Sequence, residues 1–231
     1  ASQAAYLTHA EQLSRARHQA APQLAQSITQ AMQGLGMSGG RFEVQLDACD
    51  PTASGLETVQ FLVAGHPGST PRPMGKVASG GELSRIALAI AVTTSRLGTA
   101  QTLIFDEVDA GVGGAVADTV GRLMKQLGRD RQVLAVTHLP QVASCADHHL
   151  LVAKQADDQG TSSQVRPIDR QERVAEIARM LSGERRSDTT LAHAREMLEG
   201  AAAAQATPNA QPPVPAPARS TRGRSSGAVR S

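Results

Sequence analysis

Two short apolar runs, each closed by polar side chains, constrain this chain more than anything else in it. Thr102-Leu-Ile-Phe105 ends in Asp106-Glu107, and Val133-Leu-Ala-Val136 ends in Thr137-His138. Between them, residues 114–127 carry a helical pattern that Gly128 closes. Short runs without a polar break suit parallel strands buried on both faces, and strands alternating with helices of this length form βαβ units and a mostly parallel sheet. Ligands of such sheets gather at the carboxyl ends of the strands, where both acids and the histidine fall. Asp106 there can hold Mg2+ directly or through water, and Glu107 can orient or deprotonate an attacking water. A solvated strand end at a turn is the competing reading. His138, if its strand neighbours the first, is a candidate sensor of a terminal phosphate. His148 and His149 sit at a strand edge with no Cys or carboxylate at metal spacing, and are not read as ligands. Asp109, Gly111, Gly113 and Gly114 make a tight loop after the acids, and the last two glycines can serve simply to turn the chain into the next helix.

Upstream lies Ser79-Gly-Gly-Glu82, at the start of an apolar helix expected over 82–97 and closed by Gly98. A Ser followed three residues later by Glu is a capping box. A cap alone does not need Gly80 and Gly81, whereas an anion approaching the backbone amides of a helix start does. The two readings are compatible. Arg85, one turn in, is expected at the surface.

The first 35 residues suggest helix, with Leu7, Ala10, Ala21, Leu24, Ile28, Ala31 and Leu35 on one heptad seam that Ser14 and Arg17 interrupt. Either an amphipathic helix pair or the returning end of a coiled-coil arm fits, and Pro22 predicts a break or kink at residues 20–22. Residues 41–46 alternate like a half-exposed strand, with 58–64 as its partner and a proline-rich loop over 65–75. A strand over 149–154 and helices near 171–182 and 188–199 follow. Residues 201–231 hold five Pro, four Arg (219, 222, 224 and 230) and no acid, too little apolar surface to offset ordering, so a disordered tail is expected. Setting those four aside, 19 of the 23 Lys and Arg face 21 Asp and Glu, so the body is near neutral and the tail basic. Cys49 and Cys145 are isolated, which argues against a zinc site or disulfide framework and suits a reducing cytosol. No run approaches the ~18 apolar residues of a membrane span, and no signal-peptide layout opens the chain. Ala1 falls within a helical pattern, as expected of a segment cut from a longer chain.

One motif is missing. The nearest string to a phosphate-binding loop, Gly68 to Val77, has the wrong spacing, two prolines and no hydroxyl after Lys76. With that gap noted, Val77–Arg85 resembles the signature motif of ATP-binding-cassette ATPases in the form typical of SMC-like DNA-repair ATPases. Asp106-Glu107 is similar to their Walker B motif, Asp109 to their D-loop and His138 to their switch histidine; the likeness spans residues 1–199.

That resemblance implies the C-terminal lobe of an ATP-binding-cassette head: 1–35 as the end of a coiled-coil arm, 36–200 as the lobe and 201–231 as an appended tail. It implies ATP and Mg2+ as ligands. Ser79, Gly80, Gly81 and Glu82 would meet a nucleotide held by a second head, with Asp109 also at the nucleotide; Asp106 would hold the metal, and Glu107 and His138 would be catalytic. Implied partners are an N-terminal Walker A lobe of the same protein, a second head in an ATP-dependent dimer, and DNA, as ends or single strands. The expected setting is cytoplasmic and nucleoid-associated. The distal part of a transporter nucleotide-binding domain and a non-catalytic partner-binding lobe are the alternatives; transporters usually place Gln where Glu82 stands.

Overall fold

A computed structural model describes residues 2–77, 79–95, 97, 100–157, 160–183 and 187–203. The expected tail lies outside them, apart from 201–203, which extend the last helix.

Helix α1 (Ser2–Gln33) leads into an antiparallel pair, β1 (Arg41–Thr52) and β2 (Gly55–Ala64), with a two-residue β3 (Arg72–Pro73) against β2. The pairing of Arg41 with Ala64 and Leu46 with Val59 joins the two expected strands, and the hairpin runs further than the alternation suggested. Helix α1 is continuous through Pro22, contrary to the expected break. Pro22 and His18, whose carbonyl loses its usual partner, are both exposed, so water can satisfy the freed group. The residues that interrupt the heptad seam have a partner: Arg17 Nη1 lies 3.3 Å from Glu57 Oε2 on β2. The Tyr6 hydroxyl donates to the Thr52 carbonyl at 2.9 Å. The helix therefore lies on the hairpin, and its second half contributes Ile28 and Met32, with Leu35 just beyond it, to the main core.

Helix α2 (Gly80–Thr93) ends earlier than expected, at Thr94, whose Oγ1 donates to the Ile90 carbonyl at 2.8 Å. The expected closing residue, Gly98, lies outside the described residues. Strand β4 (Thr102–Phe105), α3 (Gly114–Leu127) and β5 (Gln132–Ala135) form the βαβ unit, with Phe105 opposite Ala135 in a parallel pair. This is the one parallel pairing among the described strands, so the mostly parallel sheet expected is confined to it. Both other pairings with long registers join strands linked by short turns, which can only run antiparallel, and α3 alone supplies a crossover.

Nor is β4–β5 buried on both faces. Leu103, Phe105 and Val133 face the core, while Ile104, Leu134 and Val136 on the other face are 71%, 40% and 64% exposed. A short α4 (Pro140–Cys145) leads to the β6 (Leu150–Asp157) and β7 (Gly160–Pro167) hairpin, then α5 (Arg170–Ser182) and α6 (Asp188–Ala203). α5 opens on a complete capping box between Asp169 and Glu172. Arg173 ties α5 to the end of α4, its Nη2 donating to the carbonyls of Ala143, Ser144 and Ala146.

The α1–hairpin contact carries a pH dependence. The Ser14 hydroxyl, and then Arg17, hold the Glu57 carboxyl below its ordinary range. A lowered folded-state pKa gives stability that is present above the ordinary carboxylate range and is lost as pH falls through the lowered value. Glu57→Gln should weaken α1 docking at neutral pH and flatten its acid dependence, measured by hydrogen exchange of the α1 amides between neutral pH and pH 3. An unchanged acid profile in Glu57→Gln would exclude this contact as the cause.

Candidate nucleotide site

The acids and the histidine come together as the sequence suggested. Asp106-Glu107 follow β4 and His138 follows β5; the two strands are adjacent, with the Val136 amide donating to the Phe105 carbonyl at 3.0 Å. Asp106 and Glu107 are exposed, and the His138 side chain is 70% exposed. Glu107 has φ 56°, the one non-glycine residue with positive φ among those described. That left-handed conformation costs about 1–2 kcal/mol and persists only where the surroundings fix it. Asp106 Oδ1 accepts from the Glu107 amide at 3.0 Å, and the Ala110 amide donates to the Glu107 carbonyl at 3.0 Å, closing the turn.

Asp109 is not at a surface. It is 2% exposed, and Oδ2 accepts from the Thr137 hydroxyl, the His138 amide at 3.0 Å and the Leu139 amide at 3.3 Å. The same oxygen lies 3.4 Å from His138 Nδ1, which leaves Nε2 to face outward. A carboxylate oxygen so engaged holds the histidine loop in place. Asp109 thus has a structural contact that the sequence did not show, because its donors lie 28–30 residues downstream.

The signature-like segment also differs from its simplest reading. Ser79 caps α2, accepting from the Glu82 amide at 3.3 Å. Its reciprocal half is absent: Glu82 Oε1 lies 3.5 Å from His66 Nε2 instead. The two glycines have a use inside the chain. A Cβ on Gly80 would lie 2.5 Å from Glu107 Oε2, and one on Gly81 would lie 3.0 Å from the Ala110 carbonyl and 3.2 Å from that of Glu107. Arg85, expected at the surface, is 6% exposed and donates from Nη1 to the Ala110 carbonyl at 2.8 Å. Burial pushes its pKa down and Glu82 opposes this. Gly113 caps α3 without a side chain and Gly114 has φ 51°, the turning role considered for them. His149 stands at the start of β6, as read, with Nδ1 buried and unpaired.

Among the described residues no cluster of three or more His, Cys, Asp or Glu could hold a metal. Mg2+ does not require one, since it is commonly held by one or two carboxylates with water and substrate phosphates. Asp106, exposed at the strand end with a carboxylate anchored at one oxygen, fits that use.

No family model matches the chain. It is 45% identical to the DNA repair protein RecN of Vibrio cholerae over 84% of this chain and 35% of that protein. Likeness to RecN of Xylella fastidiosa (strain 9a5c) is 47% over 82% of the chain and 35% of the relative, and to RecN of Streptomyces coelicolor 43% over 84% and 36%. The chain thus spans about a third of the length of these relatives. Among solved structures, the Smc head domain with a coiled coil and joint from Pyrococcus yayanosii covers 78% of this chain and 29% of its own, at 21% identity and TM-score 0.49. The Smc head with an extended coiled coil from Pyrococcus furiosus, bound to the C-terminal domain of ScpA, covers 68% and 37%, at 19% identity and TM-score 0.47.

Asp109→Ala should strip the His138 amide of its acceptor and leave the Thr137 hydroxyl and Leu139 amide only their contacts with each other's residue, at a cost of about 1–3 kcal/mol. The urea midpoint should fall at unchanged slope, and Asp109→Asn, which keeps one acceptor oxygen, should lose less. A midpoint equal to that of the parent chain would remove Asp109 from this role. By its sequence relatives the chain belongs to the RecN family, matching about a third of the length of the relatives named.

Proposed function

We propose that this lobe hydrolyses ATP once an N-terminal lobe of the same protein supplies the phosphate-binding loop, and that the completed protein acts in repair of DNA double-strand breaks. The observation that carries the reading is the convergence of Asp106, Glu107 and His138 at the ends of two adjacent parallel strands. In it, Asp106 holds Mg2+, Glu107 orients or deprotonates the attacking water, and the outward Nε2 of His138 meets the terminal phosphate. Ser79, Gly80 and Gly81 meet a nucleotide bound by a second head, paired in an ATP-dependent dimer. Residues 36–200 act as the lobe, 1–35 as the root of a coiled-coil arm and 201–231 as a basic extension able to touch DNA. Among the described residues no helix is long and apolar enough to cross a membrane; the working place proposed is the cytoplasm, at the nucleoid.

The open face of β4–β5 supports a missing partner lobe. Ile104, Leu134 and Val136 form one apolar strip, and Leu150, Val152 and Val165 another on the β6–β7 hairpin, all exposed and all but Leu134 more than half so. Surfaces of this kind mark docking sites. The occupant proposed is the N-terminal lobe, since about two-thirds of each relative's length lies outside the match.

Phosphoryl transfer depends on positioning and charge stabilisation, so the chain alone should turn over negligible ATP. Adding a lobe that carries a Walker A loop should restore Mg2+-dependent hydrolysis, and Glu107→Gln should then lower kcat by roughly 10²–10⁴-fold while ATP binding persists. Robust hydrolysis by the isolated chain, abolished by Glu107→Gln, would refute the need for a second lobe.

A further inference from the structure

We infer that Ser84 and Arg85 are positioning residues for Glu107. They join the first turns of α2 to the acid turn, so that a phosphate arriving at the Ser79–Gly81 amides sets the carboxylate that serves a different nucleotide. The inference rests on the site reading above, in which one chain presents its signature segment to one nucleotide and its acids to another.

The two side chains grip the acid turn from opposite ends. Ser84 Oγ donates to the Asp106 carbonyl at 2.6 Å, immediately before Glu107, and Arg85 Nη1 donates to the Ala110 carbonyl at 2.8 Å, where the turn closes. Between those anchors Gly81 meets the turn's backbone and Gly80 lies against the Glu107 carboxylate, contacts that leave no room for a side chain at Gly81. Backbone cannot yield as a flexible side chain can. Displacement of the start of α2 is therefore passed to residue 107 with little slack.

Two further features argue that the arrangement serves more than stability. Glu107 is held in the left-handed region, and such strain persists where its surroundings over-determine it. Arg85 is buried and its Nε has no hydrogen-bond partner among the described residues, which leaves a cationic donor unmet beside the acid turn. A residue that only filled space there would be apolar. The guanidinium reaches the Ala110 carbonyl, and its carrier helix starts at the proposed phosphate contact. On the far side Asp109 fixes the same turn to the His138 loop, so α2, the acids and the histidine form one connected unit.

The test uses the full-length protein, this chain joined to its N-terminal portion. kcat and KM for ATP are measured in Ser84→Ala, Ser84→Thr and Arg85→Met, with ATP-dependent head pairing followed by sedimentation. A small misplacement of a catalytic group costs up to about 10²-fold. Ser84→Ala and Arg85→Met should therefore lower kcat by roughly 10–100-fold, with KM within about twofold and pairing retained. Ser84→Thr, which keeps the hydroxyl, should recover most of the rate. Unchanged kcat in Ser84→Ala overturns the inference, as does a joint loss of kcat, KM, pairing and thermal midpoint, the mark of a purely structural contact. Glu107→Gln in the same protein separates the two levels. If it leaves hydrolysis intact, the site reading fails and the coupling with it. If it abolishes hydrolysis while Ser84→Ala turns over normally, the coupling alone fails.

Discussion

The buried Asp109 carboxylate is the contact on which the site depends, because it binds the loop after one parallel strand to the loop after the other. Sheet pairing between β4 and β5 ends at Phe105 and Ala135, so the acids and the histidine lie beyond the ladder. Past that point, donors from Thr137, His138 and Leu139 converge on one oxygen of Asp109. A buried carboxylate is costly unless it is hydrogen-bonded, and here three donors from a single loop engage one of its oxygens. The same oxygen faces Nδ1 of His138 and sets which ring nitrogen points outward.

Around that centre the lobe is built on one side and open on the other. The inward face of β4–β5 joins the main core with Ile28, Met32 and Leu35 from α1 and its end, and Ile86, Leu88 and Ala89 from α2. A second, smaller cluster holds α5 and α6 together through Ile177, Ala178 and Ala194, with Ala143 of α4. The outward face of the parallel pair meets solvent. A two-stranded parallel sheet covered on one side is an unusual end state, since parallel sheets are generally covered on both faces.

Much of this was legible in the sequence where the signal was local. The apolar runs before Asp106 and Thr137, and the Gly-bounded helix between them, specify the βαβ unit within a residue or so. What escaped depended on distant parts of the chain. Arg85 lies on an apolar helix where a charged residue ordinarily faces water, and its bond to the Ala110 carbonyl, 25 residues later, is not legible locally. Gly80 and Gly81 suggested an anion, whereas the tight approach they permit in this chain is to its own acid turn. Helix α4 spans six residues, too few to show a period, and β7 lacks the apolar alternation that marks a strand. Pro22 did not break α1, and both it and His18, whose carbonyl it deprives of a donor, are exposed residues.

The central claim, that Asp109 fixes the histidine loop to the acid turn, is tested most directly by hydrogen exchange of the His138 backbone amide. That amide lies outside every helix and strand and donates to the Asp109 carboxylate at 3.0 Å. Protection comparable to the ladder amides of β4 and β5, lost selectively in Asp109→Ala, is the result the account predicts. Exchange at the rate of an open loop while the ladder stays protected would contradict it.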